Sequence, residues 1–178
     1  ARTLENYDFS GFVWPERLPQ ADFAVCGFIP RAENIIMFGP SGTGKTRLAN
    51  SIGVEAVRRG FRVLFVTVSD FVTRLSMEHT RGHHLDYLAR LKHLDLFILD
   101  EFGYFSIDKL SAELLFQVVA SFYEKRSIII TSNLLFDEWG KMFPDPALAT
   151  ALIDRIIQYC HLIRFSGESY RLTHSMMK

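Results

Sequence analysis

Residues Asn34 to Thr46 read NIIMFGPSGTGKT, an apolar run that closes on three glycines, a lysine and a threonine. The apolar part is a strand buried on both faces, and GxxxxGKT after it is a phosphate-binding loop opening a helix. The residue types follow from the ligand chemistry. A triphosphate presents crowded anionic oxygens, and backbone N–H groups reach them only where no side chain intervenes. Gly39, Gly42 and Gly44 permit that approach. Lys45 places an ammonium on the β- and γ-phosphates, and Thr46 offers a hydroxyl to Mg²⁺. The helix dipole adds to the attraction. Gly39, Pro40, Ser41, Gly42, Thr43, Gly44, Lys45, Thr46 and Arg47 are therefore the candidate nucleotide-binding residues.

Further along, strands and helices alternate. A helix runs from Lys45 to Arg59, with Leu48, Ile52 and Ala56 on one face, and Gly60 ends it. Val63–Val68, Leu96–Asp100, Ser127–Asn133 and Cys160–Phe165 are strand-like runs. Ser69 and Asp70 are candidate caps for a short helix through Leu75, and a second helix covers Leu85 to Leu94. Leu110, Leu114, Leu115, Val118, Val119 and Phe122 form a helical stripe. Asp137 to Phe143 reads as a turn or short helix, and Ala147 to Tyr159 as a helix. The expected fold is α/β, a parallel sheet between two helical layers. Residues 1–31 read as an irregular aromatic arm packed on the core, and 32–178 as the nucleotide-binding domain. One or two of the arm's rings are candidates to flank an adenine base.

Composition narrows the class. With 178 residues, 48% of them apolar, the chain can bury a substantial single core. Its formal net charge is zero, so any nucleic-acid site must be a local basic patch. Cys26 and Cys160 stand far apart and outside any CxxC pattern, as buried thiols of a reducing compartment do. No apolar run is long enough to span a bilayer, and no signal-peptide layout opens the chain. The first residue is Ala1 rather than Met, which points to a fragment of a longer protein.

Ligands of such sheets bind at the carboxyl ends of the strands. Leu96–Asp100 ends in two acids, of which Asp100 is the candidate to hold Mg²⁺ and Glu101 to polarise the attacking water. Another strand ends Thr131-Ser132-Asn133, where an amide can orient that water. Phosphoryl transfer also needs cations at the γ-phosphate, and Arg155 and Arg171 are candidates beside Lys45.

In this combination the chain resembles the AAA+ P-loop ATPases of the IstB type, ATP-binding helpers of bacterial insertion sequences. The resemblance rests on GPSGTGKT, LFILDE, IIITSN, ALIDRI and GESYRL in that order, and it covers nearly the whole chain. Helicase loaders of the DnaC and DnaI type are close relatives, but FDEWG followed by ALIDR and GESYR favours IstB. The resemblance implies Walker A for Lys45 and Thr46, Walker B for Asp100 and Glu101, and sensor 1 for Asn133. It implies an arginine finger acting on the neighbouring subunit's ATP for Arg155, and sensor 2 for Arg171. It further implies ATP-dependent self-association on DNA, a transposase partner and a bacterial cytoplasmic setting. No helical lid follows the last strand, as in the IstB and loader branch, and the family's N-terminal helical domain is absent from this sequence.

The segment Asp70 to Lys92 matches in position the element by which initiator-type AAA+ proteins hold DNA. Arg74, Arg81, His83 and Lys92 there are candidate contacts to duplex phosphates, giving affinity without sequence reading. His79 and His83 have the spacing of a helical metal pair, but Gly82 interrupts the helix and no third ligand is evident. The expected function is an ATPase that oligomerises on DNA and assists a transposase in target-site selection. The rivals are a helicase loader and a solitary P-loop ATPase or kinase.

Overall fold

The computed structural model describes Leu4 and residues 7–166. Its centre is a six-stranded sheet of order β1-β6-β2-β5-β4-β3. The strands are β1 (Phe12–Val13), β2 (Asn34–Phe38), β3 (Val63–Thr67), β4 (Leu96–Phe102), β5 (Ser127–Ser132) and β6 (Cys160–Phe165). All neighbours pair in parallel except β1, which runs antiparallel to β6 at the sheet edge. The helices are α1 (Gln20–Ala24), α2 (Lys45–Arg58), α3 (Val68–Thr80), α4 (His84–Leu91), α5 (Lys109–Phe122) and α6 (Pro146–Ile157), with a 3-10 turn at Trp139–Met142. Among the described residues no helix is long and apolar enough to cross a membrane.

Each strand sends alternate residues to opposite faces, and the apolar runs therefore feed two cores. Ile35, Met37, Ile98, Ile129 and Ile163 meet Leu48, Ala49 and Ile52 of α2, with Leu18, Phe23 and Phe28 closing that side. Ile36, Phe97, Leu99, Ile128 and Ile130 meet α3, α5 and α6 on the other. This is the three-layer sandwich expected from the alternating pattern.

Three local readings are corrected. The helix after β3 begins earlier than Ser69, because the Thr67 side chain accepts from the Asp70 N–H and acts as the cap. It also runs a full 13 residues, through Glu78, which is buried and paired with Arg74 one turn back. The region before Arg31 is not wholly irregular. Phe12 and Val13 pair with Phe165 and Arg164, and Gln20–Ala24 is helical. Around them Phe9, Trp14 and Phe23 meet edge to face at centroid distances of 5.0 to 6.4 Å.

At the foot of the sheet Asn34 ties three elements together. Its side chain donates to the Ile156 carbonyl at 3.0 Å and accepts from the Ile128 N–H at 2.9 Å. The end of α6 is thereby fixed at the start of β2. The phosphate loop lies beyond the far end of the same strand.

Candidate active site

Gly39 leaves β2 against the last residue of β6. A Cβ there would stand 2.4 Å from the Phe165 carbonyl oxygen, so no other residue fits. Gly44 takes φ +101° as the N-cap of α2, and no side chain caps that helix. The first-turn amides of α2 therefore point into the loop. Inside it the Lys45 ammonium donates to the Gly39 and Pro40 carbonyls at 2.6 and 2.8 Å, while the Thr43 hydroxyl holds Pro40 from the other side at 2.7 Å. Lys45 is only 6% exposed. Burial pushes its pKa down to about 8, against the opposing pull of the Asp100 carboxylate.

Asp100 is 3% exposed at the end of the buried run of β4. The Thr46 hydroxyl donates to its two oxygens at 2.9 and 3.2 Å, and the Thr131 hydroxyl to Oδ1 at 2.5 Å. The parallel register that joins Leu99 to Ile130 puts Thr131 on this side of the sheet. A hydroxyl and a carboxylate side by side next to a phosphate loop suit a hard cation of Mg²⁺ type, which binds through one or two protein oxygens plus phosphate and water. The donor set fits that ion.

Glu101 follows at a bulge. Leu99 pairs with Ile130 and Phe102 with Ser132, so β4 takes three steps where β5 takes two. The extra residue adopts φ +61°, a strain of about 1–3 kcal/mol for a non-glycine residue. The Thr131 hydroxyl accepts its N–H at 3.0 Å. The bulge turns the Glu101 side chain out of the core into a cleft of about 600 Å³, which Ser41, Gly44, Lys45, Thr46 and Arg47 line from the opposite wall. The cleft can therefore take a polyphosphate between backbone amides and an ammonium on one wall and the Glu101 carboxylate on the other.

Four further residues line it that sequence reasoning did not assign: Asn50, Phe65, Tyr104 and Thr131. Thr131 carried a signal, a hydroxyl at the end of a buried strand. Tyr104 and Phe65 carried none.

Other candidates lie elsewhere. Asn133 does not line the cleft, and its Oδ1 is buried without a hydrogen-bond partner. Arg155 lies beside Ile156 at the foot of the sheet, one strand length of about 16 Å from the phosphate loop. Its guanidinium sits 4.8 Å from the Phe116 ring and 6.0 Å from Tyr123, and donates to Ala151 O at 3.2 Å. Arg171 lies outside the described residues. In the α3–α4 hairpin Arg81, His83 and Lys92 are exposed, whereas Arg74 pairs with Glu78 at 2.8 Å and covers Tyr87 at 5.1 Å. The His79 ring lies 4.9 Å from that of His84, tilted by 47°, and no group of three metal-binding side chains exists among the described residues.

The comparisons bear on family and fold. The family model described as IstB-like ATP binding protein matches residues 1–178. The ATP-binding protein named for insertion sequence IS5376 of Geobacillus stearothermophilus is 38% identical over 177 residues, 99% of this chain and 70% of the relative. That named for insertion sequence IS21 of Pseudomonas aeruginosa is 40% identical over 171 residues, 96% of this chain and 64% of the relative. The chain thus spans about two thirds of the length of these relatives. Among solved structures, the replication initiator DnaA bound to AMPPCP and single-stranded DNA superposes with a TM-score of 0.74 at 25% identity. That alignment covers 93% of this chain and 50% of DnaA.

Proposed function

The chain belongs to the IstB-like ATP binding protein family, and we propose that it hydrolyses Mg²⁺-ATP in the cleft and self-associates on duplex DNA to assist a transposase in target-site selection. The observation that carries the chemistry is the buried Asp100 carboxylate, clasped by the Thr46 and Thr131 hydroxyls beside the phosphate loop. Thr46 and Asp100 would hold Mg²⁺, which would neutralise charge on the β- and γ-phosphates. The Gly42–Thr46 amides and Lys45 grip the phosphates. Glu101, turned into the cleft by the bulge, accepts a proton from the attacking water.

Arg155 supports the self-association reading. Placed about one strand length from its own phosphate loop, it has a use in phosphoryl transfer only at a neighbouring subunit's nucleotide. The Asp70–Lys92 hairpin offers Arg81, His83 and Lys92 to DNA phosphates, in line with a DNA-bound neighbour of the same fold. The transposase and the bacterial cytoplasm follow from the insertion-sequence relatives.

The test is ATP turnover and light scattering of the full-length protein, with and without arbitrary duplex DNA. Turnover together with ATP-dependent growth in mass on DNA is expected. Turnover by a monomer indifferent to DNA would remove the assembly reading, and no binding of Mg²⁺-ATP would remove the whole.

A further inference from the structure

We propose that Tyr104 is a phosphate-contacting residue whose hydroxyl donates to the terminal phosphate of ATP, so that it distinguishes triphosphate from diphosphate. The inference rests on the nucleotide reading of the cleft. Tyr104 lies three residues beyond Glu101, on the loop between β4 and α5, and lines the same cleft. Its hydroxyl reaches across to the Ser41 hydroxyl at 3.4 Å.

The position is imposed by the backbone. Phe102 is fully buried against Trp139 at 4.5 Å, and its carbonyl accepts from the Ser132 hydroxyl at 2.5 Å. Gly103 takes φ +103°, where a Cβ would press on Leu134 and Ser132 at 3.2 and 3.3 Å. Four residues later Ile107 is buried and its N–H donates to the Met142 carbonyl at 2.8 Å. The segment between is a strap pinned at both ends. Phe105 on it is 45% exposed and does not line the cleft, whereas Tyr104 faces the phosphate loop. Tyr104 is 42% exposed, so its hydroxyl is open to a ligand in the cleft.

Chemistry then selects the terminal phosphate. The amides at the start of α2 take the inner phosphates, and Glu101 must stand next to the phosphorus that is attacked. Between Ser41, Lys45 and Glu101 lies the place of the γ-phosphate, and the Tyr104 hydroxyl borders it. Hydroxyl pairs ordinarily sit at about 2.7–2.8 Å, so the 3.4 Å contact to Ser41 is weak and gives way to an anionic oxygen.

Calorimetric titration of the full-length protein with Mg²⁺-AMPPNP and with Mg²⁺-ADP tests this. Tyr104→Phe keeps the ring and removes the donor. Its preference for AMPPNP over ADP is expected to fall by about tenfold, the value of one hydrogen bond to a charged group, with ADP affinity unchanged. Phe105→Ala on the same strap is expected to leave the preference intact. An unchanged preference in Tyr104→Phe, an equal loss for both nucleotides, or the same loss in Phe105→Ala would each overturn the proposal while leaving the ATP reading standing. A wild-type protein that binds neither nucleotide would overturn both.

Discussion

The two faces of the sheet carry candidate residues under opposite conditions. On the α2 side, Thr46 and Thr131 are locked to Asp100 through bonds of 2.5 to 3.2 Å, and Lys45 to the Gly39 and Pro40 carbonyls at 2.6 and 2.8 Å. On the side covered by α3 to α6, Arg74 and Arg155 rest on aromatic rings and carbonyls of their own subunit, and Arg81 stands in solvent. The first face is complete within one chain, because buried polar groups must find partners there or unfold it. On the second, Arg74 is satisfied by Glu78 and Tyr87 of its own chain, and in the reading proposed above the ligands of Arg81 and Arg155 would come from another molecule. Chemistry organised by burial is fixed before the ligand arrives; chemistry offered at a surface waits for a second body.

The largest test of that division is Arg155→Ala. If the α6 cation completes a neighbour's site, turnover falls by about 10³–10⁵-fold with nucleotide binding retained. Mixing with Lys45→Ala protein then restores part of the activity, since each variant supplies what the other lacks. Full turnover by Arg155→Ala alone would leave this face as packing and erase the contrast.

Within the cleft, Glu101→Gln preserves shape and removes the proposed base. Turnover is expected to fall by about 10²–10⁴-fold in a steady-state phosphate-release assay, with AMPPNP affinity unchanged. An equal loss of affinity would show that Glu101 serves binding rather than the attack on phosphorus.

How far these sites were legible depends on how local their determinants are. Asn34–Phe38, Gly39–Thr46 and Leu96–Asp100 announce themselves, since one apolar strand and its polar ending define each and parallel pairing does the rest. β1 does not, because Phe12 and Val13 are strand only by virtue of Phe165 and Arg164 at the other end of the chain. Tyr104 enters the cleft through a bulge at Glu101 and a left-handed Gly103, a register effect that no spacing encodes. Asn133 shows the reverse. A polar residue at a strand end looked suited to the cleft, yet the chain turns after Ser132, whose hydroxyl is held by Phe102, Leu134 and Trp139.

Lys45 gives the next smaller effect, through pH. In the empty protein its pKa is pushed down to about 8, and anionic phosphates bound against it restore the proton. Binding of Mg²⁺-ATP therefore takes up a proton above pH 8, and affinity falls toward about tenfold per pH unit there while staying flat below about pH 7. The empty fold responds in the opposite sense. Its lysine has a lower pKa than the unfolded chain's 10.5, so the unfolded state holds more protons between these values and stability rises with pH across that window. Calorimetry in buffers of different ionisation heat reads the proton uptake directly. Zero uptake at about pH 9 would mean that the ammonium is no part of the grip.

The smallest effects belong to the α3–α4 hairpin, and there the comparison can be made between two arginines of one element. Arg81 is exposed and joins none of the ion pairs among the described residues. Arg74 is committed to Glu78, whose carboxylate is buried, and to the Tyr87 ring. A DNA phosphate gains Arg81 without breaking anything, but must strip Arg74 from Glu78 and leave that acid unpaired. Arg81→Ala should thus weaken binding to arbitrary duplex by a few-fold and lower the salt slope by about one, while Arg74→Ala changes neither by as much. Fluorescence anisotropy with AMPPNP across a salt series measures both. Should Arg74→Ala prove the more damaging, with thermal stability unaltered, the internal pairing of that arginine would be no bar to DNA, and the rule separating committed from uncommitted cations would fail on this face.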